Sequence, residues 1–173
     1  PILHGDILTS YKRLSAALLD GLQRLSVAAI TQSPSRAGSA DLPVCFEVPG
    51  KYEITLDEKK LVGSAQARRH GGVLQHGTLP LTGDLTRITQ ALRFPDETSR
   101  TEAGERLLRK ATTVQSALGR PVSWAQAAAA LTDGFRHTLG IEFELGELTD
   151  TERGRAEELV ESKYAHADWL RTK

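Results

Sequence analysis

The 173-residue sequence holds one cysteine, Cys45, and a lone cysteine excludes an internal disulfide. No spacing of Cys45 with the five histidines resembles a closed zinc site, and the two absences together lead to the expectation of a reducing compartment, the cytoplasm. No uninterrupted apolar run is long enough to cross a bilayer, and the opening PILHGD does not read as a signal peptide, so no membrane partner is expected. Charge of one sign is lacking too. With 22 basic against 22 acidic residues the formal net charge is zero, so no global field draws the chain to nucleic acid or to an anionic surface. Internal repeats and low-complexity segments are missing. The length suits one domain, or one domain with a small appendix, and is enough to bury a real core.

What is present reads as helix, meander, helices, an α+β pattern. From Ser10, the residues Leu14, Ala17, Leu18, Gly21, Leu22 and Leu25 recur at three- and four-residue steps, which predicts one buried helix face. TQSPSRAGSAD, residues 31–41, has no periodicity and is expected to be a loop. Val44, Phe46 and Val48 alternate with Cys45 and Glu47. Tyr52, Ile54 and Leu56 form a second alternating set, and Asp57-Glu58 suits a turn into a strand from Lys60 to Ala67. Arg68-Arg69-His70-Gly71-Gly72 reads as a loop before a third strand from Val73 to Leu81. Asp84 is placed to cap a short helix. Ser123 with Gln126 forms a capping-box pattern opening a helix that Gly140 ends, and Thr149 with Glu152 sets a second one. Between these two helices, Ile141, Phe143 and Leu145 alternate with Glu142 and Glu144, which predicts a half-buried strand.

Cys45, Lys60 and His76 lie in three consecutive strand-like runs, and neighbouring antiparallel strands bring residues distant in sequence to one pocket when register and parity agree. A thiolate attacks thioesters readily and leaves readily, so Cys45 is chemically able to take an acyl chain and pass it to an amine in two steps. An unperturbed thiol, with a pKa of about 8.5, supplies little thiolate at neutral pH, so a neighbouring cation such as Lys60 would raise the reactive fraction. Each residue has a plainer reading. A lone cysteine is more often a small buried hydrophobe, a hairpin lysine is ordinarily solvated, and a strand histidine commonly fills a core or rim. The basic triplet Arg68-Arg69-His70 is a candidate for a partner's phosphate, with solvent exposure as its ordinary alternative. His137 and His166 lack a partner pattern, and Trp124 and Trp169 are read as packing.

PVCFEVPGKYEI, KKLVGSAQARR and LQHGTLPL, in that order, resemble the lipoate-protein ligase and octanoyltransferase family of the biotin and lipoate protein ligase superfamily, as does the terminus YAHADWLRTK. The resemblance implies a mixed, largely antiparallel sheet flanked by helices, like class II aminoacyl-tRNA synthetases and biotin synthetase, with a crevice for a medium-chain acyl group. It implies one catalytic domain over residues 1–173. The opening PILH is similar to the end of the family's Gly-Gly-Arg-x-x-x-His segment, which places His4 near the acyl site. The family carries additional residues after that histidine, so the expectation is that material is missing before Pro1 and between Asp6 and Ile7. By the same resemblance Lys60 lies against the acyl carbonyl, able to stabilise an oxyanion. Gly63, Ser64 and Ala65 line the acyl pocket, and Gln75, His76, Gly77 and Thr78 form its facing strand.

Two enzymes and one binding module follow from this. Cysteine before Phe in PVCFEVP is similar to the cysteine-dependent octanoyltransferase branch, which favours transfer of an octanoyl or lipoyl group through a Cys45 thioester without any cofactor. The donor would be acyl carrier protein or acylated H protein. The acceptor would be a lysine of the lipoyl domains of 2-oxoacid dehydrogenases or of the glycine-cleavage H protein. The alternative is an ATP-dependent lipoate ligase working through lipoyl-AMP with Mg2+, and behind both stands an acyl-binding module without turnover.

Overall fold

The computed structural model describes residues 5–31, 53–69 and 72–171. Two compact units divide the chain, Pro1–Glu142 and Phe143–Lys173. In the first, helix α1 runs over Ile7–Arg24 and starts three residues before the apolar periodicity because Asp6 caps it, its carboxylate accepting the Thr9 amide at 2.7 Å. The periodic face is buried as expected, with Leu14, Ala17, Gly21 and Leu22 inward.

Four strands follow in sheet order β1-β2-β3-β4, all antiparallel: β1 Ile30–Thr31, β2 Ile54–Leu56, β3 Lys59–Arg69 and β4 Gly72–Thr78. Asp57 and Glu58 form the two-residue turn between β2 and β3, and both sit at positive φ, 48° and 62°. That geometry matches the twist of the strands on either side, at the cost of placing two side chains in the left-handed region. Past the turn, Leu56 faces Lys59 and Thr55 faces Lys60, but Ile54 faces Val62. Leu61 is the extra residue of a bulge in β3, and Lys60, Leu61 and Val62 are buried in succession where simple alternation would bury every second one. The third predicted strand ends three residues early, at Thr78. Arg68 and Arg69, expected in a loop, belong to β3. The first predicted strand, with Cys45, and the residue His4 lie outside the described residues.

The core forms where α1, the start of the sheet and later helices meet: Leu22, Ile54, Leu61, Val62, Val114, Val122 and Ala127 pack together. Leu22 and Leu61 are fully buried, and each contributes on the order of 2 kcal/mol by leaving water. After a 3-10 turn at Leu85–Arg87, capped by Asp84 as the sequence predicts, come α2 Ile88–Ala91, α3 Glu97–Lys110, α4 Val114–Leu118 and α5 Trp124–Leu139. A second small cluster joins Leu107 and Ala111 to Leu85 and Leu92. Helix α5 carries the predicted Ser123–Gln126 capping box and ends at Gly140, φ 63°. It buries Ala127 and Gly134 against α1, while Trp124, read from the sequence as packing, is 78% exposed at its first turn.

In the second unit, the predicted capping box of Thr149 and Glu152 opens α6, Asp150–Leu159, which runs through a π turn at Val160–Tyr164 towards α7, Ala167–Arg171. Tyr164 and Trp169 meet edge to face at 5.1 Å, with the Lys163 ammonium 4.7 Å from the Trp169 ring centre. The strand expected over Ile141–Leu145 does not form. No strand pairs with this stretch among the described residues, and Leu145 is fully exposed. Alternation of apolar residues describes a face only where another element covers it.

Candidate functional site

The hairpin parity that begins at Leu56 and Lys59 determines what faces Lys60. Thr55 is directly opposite Lys60, and Glu53, two residues before Thr55, shares its face. Glu53 Oε1 accordingly accepts from Lys60 Nζ at 2.6 Å. Both residues are almost completely enclosed, Lys60 at 5% exposure and Glu53 at 7%. The sequence reading had not singled out Glu53, although its position relative to a two-residue turn contains the signal. Backbone bonds fix the lysine from its other side. Its carbonyl accepts the Thr112 amide at 3.0 Å, and Lys60 forms a parallel bridge with Ala111, just past the end of α3.

Further along β3, small residues serve strand contact. Ser64 pairs with Gly77 and Gly63 with Thr78. A β-carbon on Gly77 would stand 2.7 Å from the Gly63 carbonyl oxygen and 3.0 Å from Ser64 Oγ, so this crossing admits only glycine. The Ser64 carbonyl accepts the Tyr11 hydroxyl of α1 at 2.9 Å, and partial burial raises that phenol above its ordinary value. Gln75 and His76, adjacent on β4, face opposite sides. Gln75 Oε1 accepts from Gln66 Nε2 at 3.0 Å on the side that meets α1, whereas His76 pairs with Ala65 and is exposed, as are Gly77 and Thr78. His76 stands roughly 15 Å along β3 from Lys60 at the usual rise per residue. The structure thus brings Lys60 and Glu53 together, and across the Leu61 bulge the register puts Ala65, and with it His76, on the same sheet face as Lys60 but further along the strand.

Arg68 is committed to the fold rather than to solvent. Its guanidinium donates to the Gly5 carbonyl at 2.7 Å, the Asp6 carbonyl at 3.1 Å, Ser10 Oγ at 2.6 Å and Gln66 Oε1 at 3.0 Å. The start of α1 is thereby stitched to β3. Among the expected phosphate contacts, Arg68 is therefore engaged within the fold and His70 lies outside the described residues. His137, without a visible partner in the sequence, donates or accepts through Nδ1 at 2.6 Å from Asp20 Oδ2 across the α1–α5 contact, and this bond is the main reason the Asp20 carboxyl lies below its usual range. Among the described residues no three His, Cys, Asp or Glu side chains gather as a metal site, and no helix is long and apolar enough to cross a membrane.

A short hairpin buries a lysine beside a carboxylate, within a meander packed on helices. The chain belongs to the lipoyl protein ligase A/B catalytic domain family, whose model matches residues 3–136 and so takes in Cys45, Lys60 and His76. It is 36% identical to octanoyltransferase LipM of Symbiobacterium thermophilum over 97% of its own length, and 37% identical to octanoyltransferase LipM of Moorella thermoacetica over 99%. In both cases it spans 63% of the relative. The fold is that of lipoate-protein ligases. A bipartite lipoate protein ligase from Thermoplasma acidophilum, described with its E2 lipoyl domain, superposes with a TM-score of 0.75 at 26% identity, covering 95% of this chain and 58% of that one. A lipoate-protein ligase A bound with ATP gives 0.71 at 27% identity, covering 95% and 59%.

Proposed function

We propose that this chain works as a cysteine-dependent octanoyltransferase. The observation that carries the reading is its 36% identity over nearly the whole chain to a protein named octanoyltransferase, together with a cysteine in PVCFEVP. In the first step the Cys45 thiolate attacks the carbonyl carbon of an octanoyl thioester on acyl carrier protein or an acylated H protein. The carrier thiolate leaves and takes up a proton. In the second, the neutral amine of a lysine on a lipoyl domain or on the glycine-cleavage H protein attacks the Cys45 thioester. Cys45 leaves as thiolate and the amine's extra proton passes to solvent. Lys60 donates to the carbonyl oxygen as negative charge develops on it in each step. Gly63, Ser64 and Ala65 bound the acyl chain together with Gln75, His76, Gly77, Thr78 and His4. No cofactor takes part, and the reaction belongs to the cytoplasm.

The test is to incubate the full-length protein with octanoyl-acyl carrier protein in the absence of ATP and weigh it intact. An octanoyl adduct that disappears in Cys45→Ser supports transfer. ATP-dependent formation of lipoyl-AMP that survives this substitution supports the ligase reading instead, which the likeness to an ATP-bound lipoate-protein ligase A motivates. Neither product would leave the acyl-binding module.

A further inference from the structure

Glu53 and Lys60 form an ion pair enclosed on all sides, with side-chain exposures of 8% and 6%. Only one carboxylate oxygen is used. Glu53 Oε2 is buried and has no hydrogen-bond partner among the described residues. Such an arrangement is a poor device for stability, because removing two charges from water costs several kcal/mol and an unsatisfied carboxylate oxygen adds to that cost. Apolar side chains of similar volume would hold this corner of the hairpin at least as well. The surroundings could have supplied them, since Ile54, Leu61 and Val62 are core residues on either side.

What the pair does supply is direction. Lysine has a long flexible stem and a compact charge that takes no geometry of its own. The carboxylate opposite holds the ammonium at 2.6 Å, while Thr112 and Ala111 hold the lysine backbone. The bond to Glu53 limits the directions in which the ammonium can lie. We propose that Glu53 is a positioning residue that sets the orientation of Lys60 towards the acyl carbonyl. This inference rests on the transferase reading above and names the group through which Lys60 is preorganised. Oxyanion stabilisation depends on donors already in place when charge appears, so a lysine free to swing would lose rate without losing affinity for the donor.

The experiment measures formation of the Cys45 octanoyl adduct by intact mass over time at several donor concentrations, in wild type, Glu53→Gln, Glu53→Asp, Lys60→Gln and the Glu53→Gln/Lys60→Gln double variant. Circular dichroism and melting midpoints accompany each. The expected result is a ten- to hundredfold slower limiting rate in Glu53→Gln with half-saturating donor concentration unchanged, partial recovery in Glu53→Asp, and a double variant no slower than Lys60→Gln alone. A Glu53→Gln rate equal to wild type overturns the inference and leaves the transferase intact. Losses that multiply in the double variant overturn it too, because Glu53 would then act independently of Lys60. If Glu53→Gln fails to fold, Glu53→Asp decides by the same rate comparison. No adduct in wild type overturns the transferase reading, and this inference with it.

Discussion

Gly134 of α5 backs onto Gly21 of α1 so closely that a β-carbon built on Gly134 would lie 2.4 Å from the Gly21 amide nitrogen and 2.6 Å from the Ala17 carbonyl oxygen. Both obstacles are backbone, so neither can swing aside, and the two helices must separate to admit a methyl group. Gly134→Ala is expected to lower stability by about 1–3 kcal/mol, read as a lower midpoint in urea. Gly154→Ala, in α6 with open space around it, is expected to stabilise its helix by up to about 1 kcal/mol. Equal effects of the two substitutions would show that the close crossing does not exist in solution.

The turn at Asp57-Glu58 holds two side chains at positive φ where asparagine and glycine are the natural occupants. Asp57→Asn with Glu58→Gly should raise stability by about 1 kcal/mol without altering the pairing of Leu56 with Lys59. Denaturant midpoints measure the first part and amide chemical shifts in β2 and β3 the second.

Arg68→Ala removes the guanidinium donors to the carbonyls of Gly5 and Asp6, leaving only the Ser10 hydroxyl on Asp6 among the described side chains. The first turn of α1 should open more often, seen as faster hydrogen exchange at Thr9 and Ser10, with a loss of about 1–3 kcal/mol. Arg68→Lys should not restore protection, because one ammonium cannot reproduce a planar fork spread over four acceptors.

Four exposed carboxyls at helix starts sit below their ordinary range for a shared reason. Asp6 accepts from Thr9, Asp84 from Thr86, Asp96 from Ser99 and Glu152 from Thr149. A carboxyl depressed in the folded state contributes stability above its unfolded value, about 4, and that contribution is lost as pH falls through the folded value. Helix content followed by circular dichroism should therefore decline as pH drops below about 4. Asp96→Asn keeps an acceptor at the cap and removes the charge, so the decline should be smaller in that variant.

The helices were legible because their signals are local. Asp84, Ser123, Thr149 and Gly140 each bond within a few residues of themselves, and a cap is written in the same stretch that it caps. Parity within the hairpin was legible too, and carried to its end would have shown Glu53 beside Lys60. Other features depend on remote partners. β1 is two residues that become a strand only by pairing with β2, His137 meets Asp20 from 117 residues away, and the bulge at Leu61 answers to packing on both faces of β3. The alternation at Ile141–Leu145 shows the reverse case, a pattern with which no strand pairs among the described residues. The family resemblance in the central tract held, while the geometry around Cys45 and His4 lies outside the described residues.

The Lys60 carbonyl is joined by one hydrogen bond to the amide of Thr112, the second residue after α3. A disturbance at the far end of α3 would travel down a helix of 14 residues and arrive at the Lys60 backbone through that one hydrogen bond. Exchange of the Thr112 amide proton with solvent would then serve as a remote gauge of whether the lysine is locked or loose.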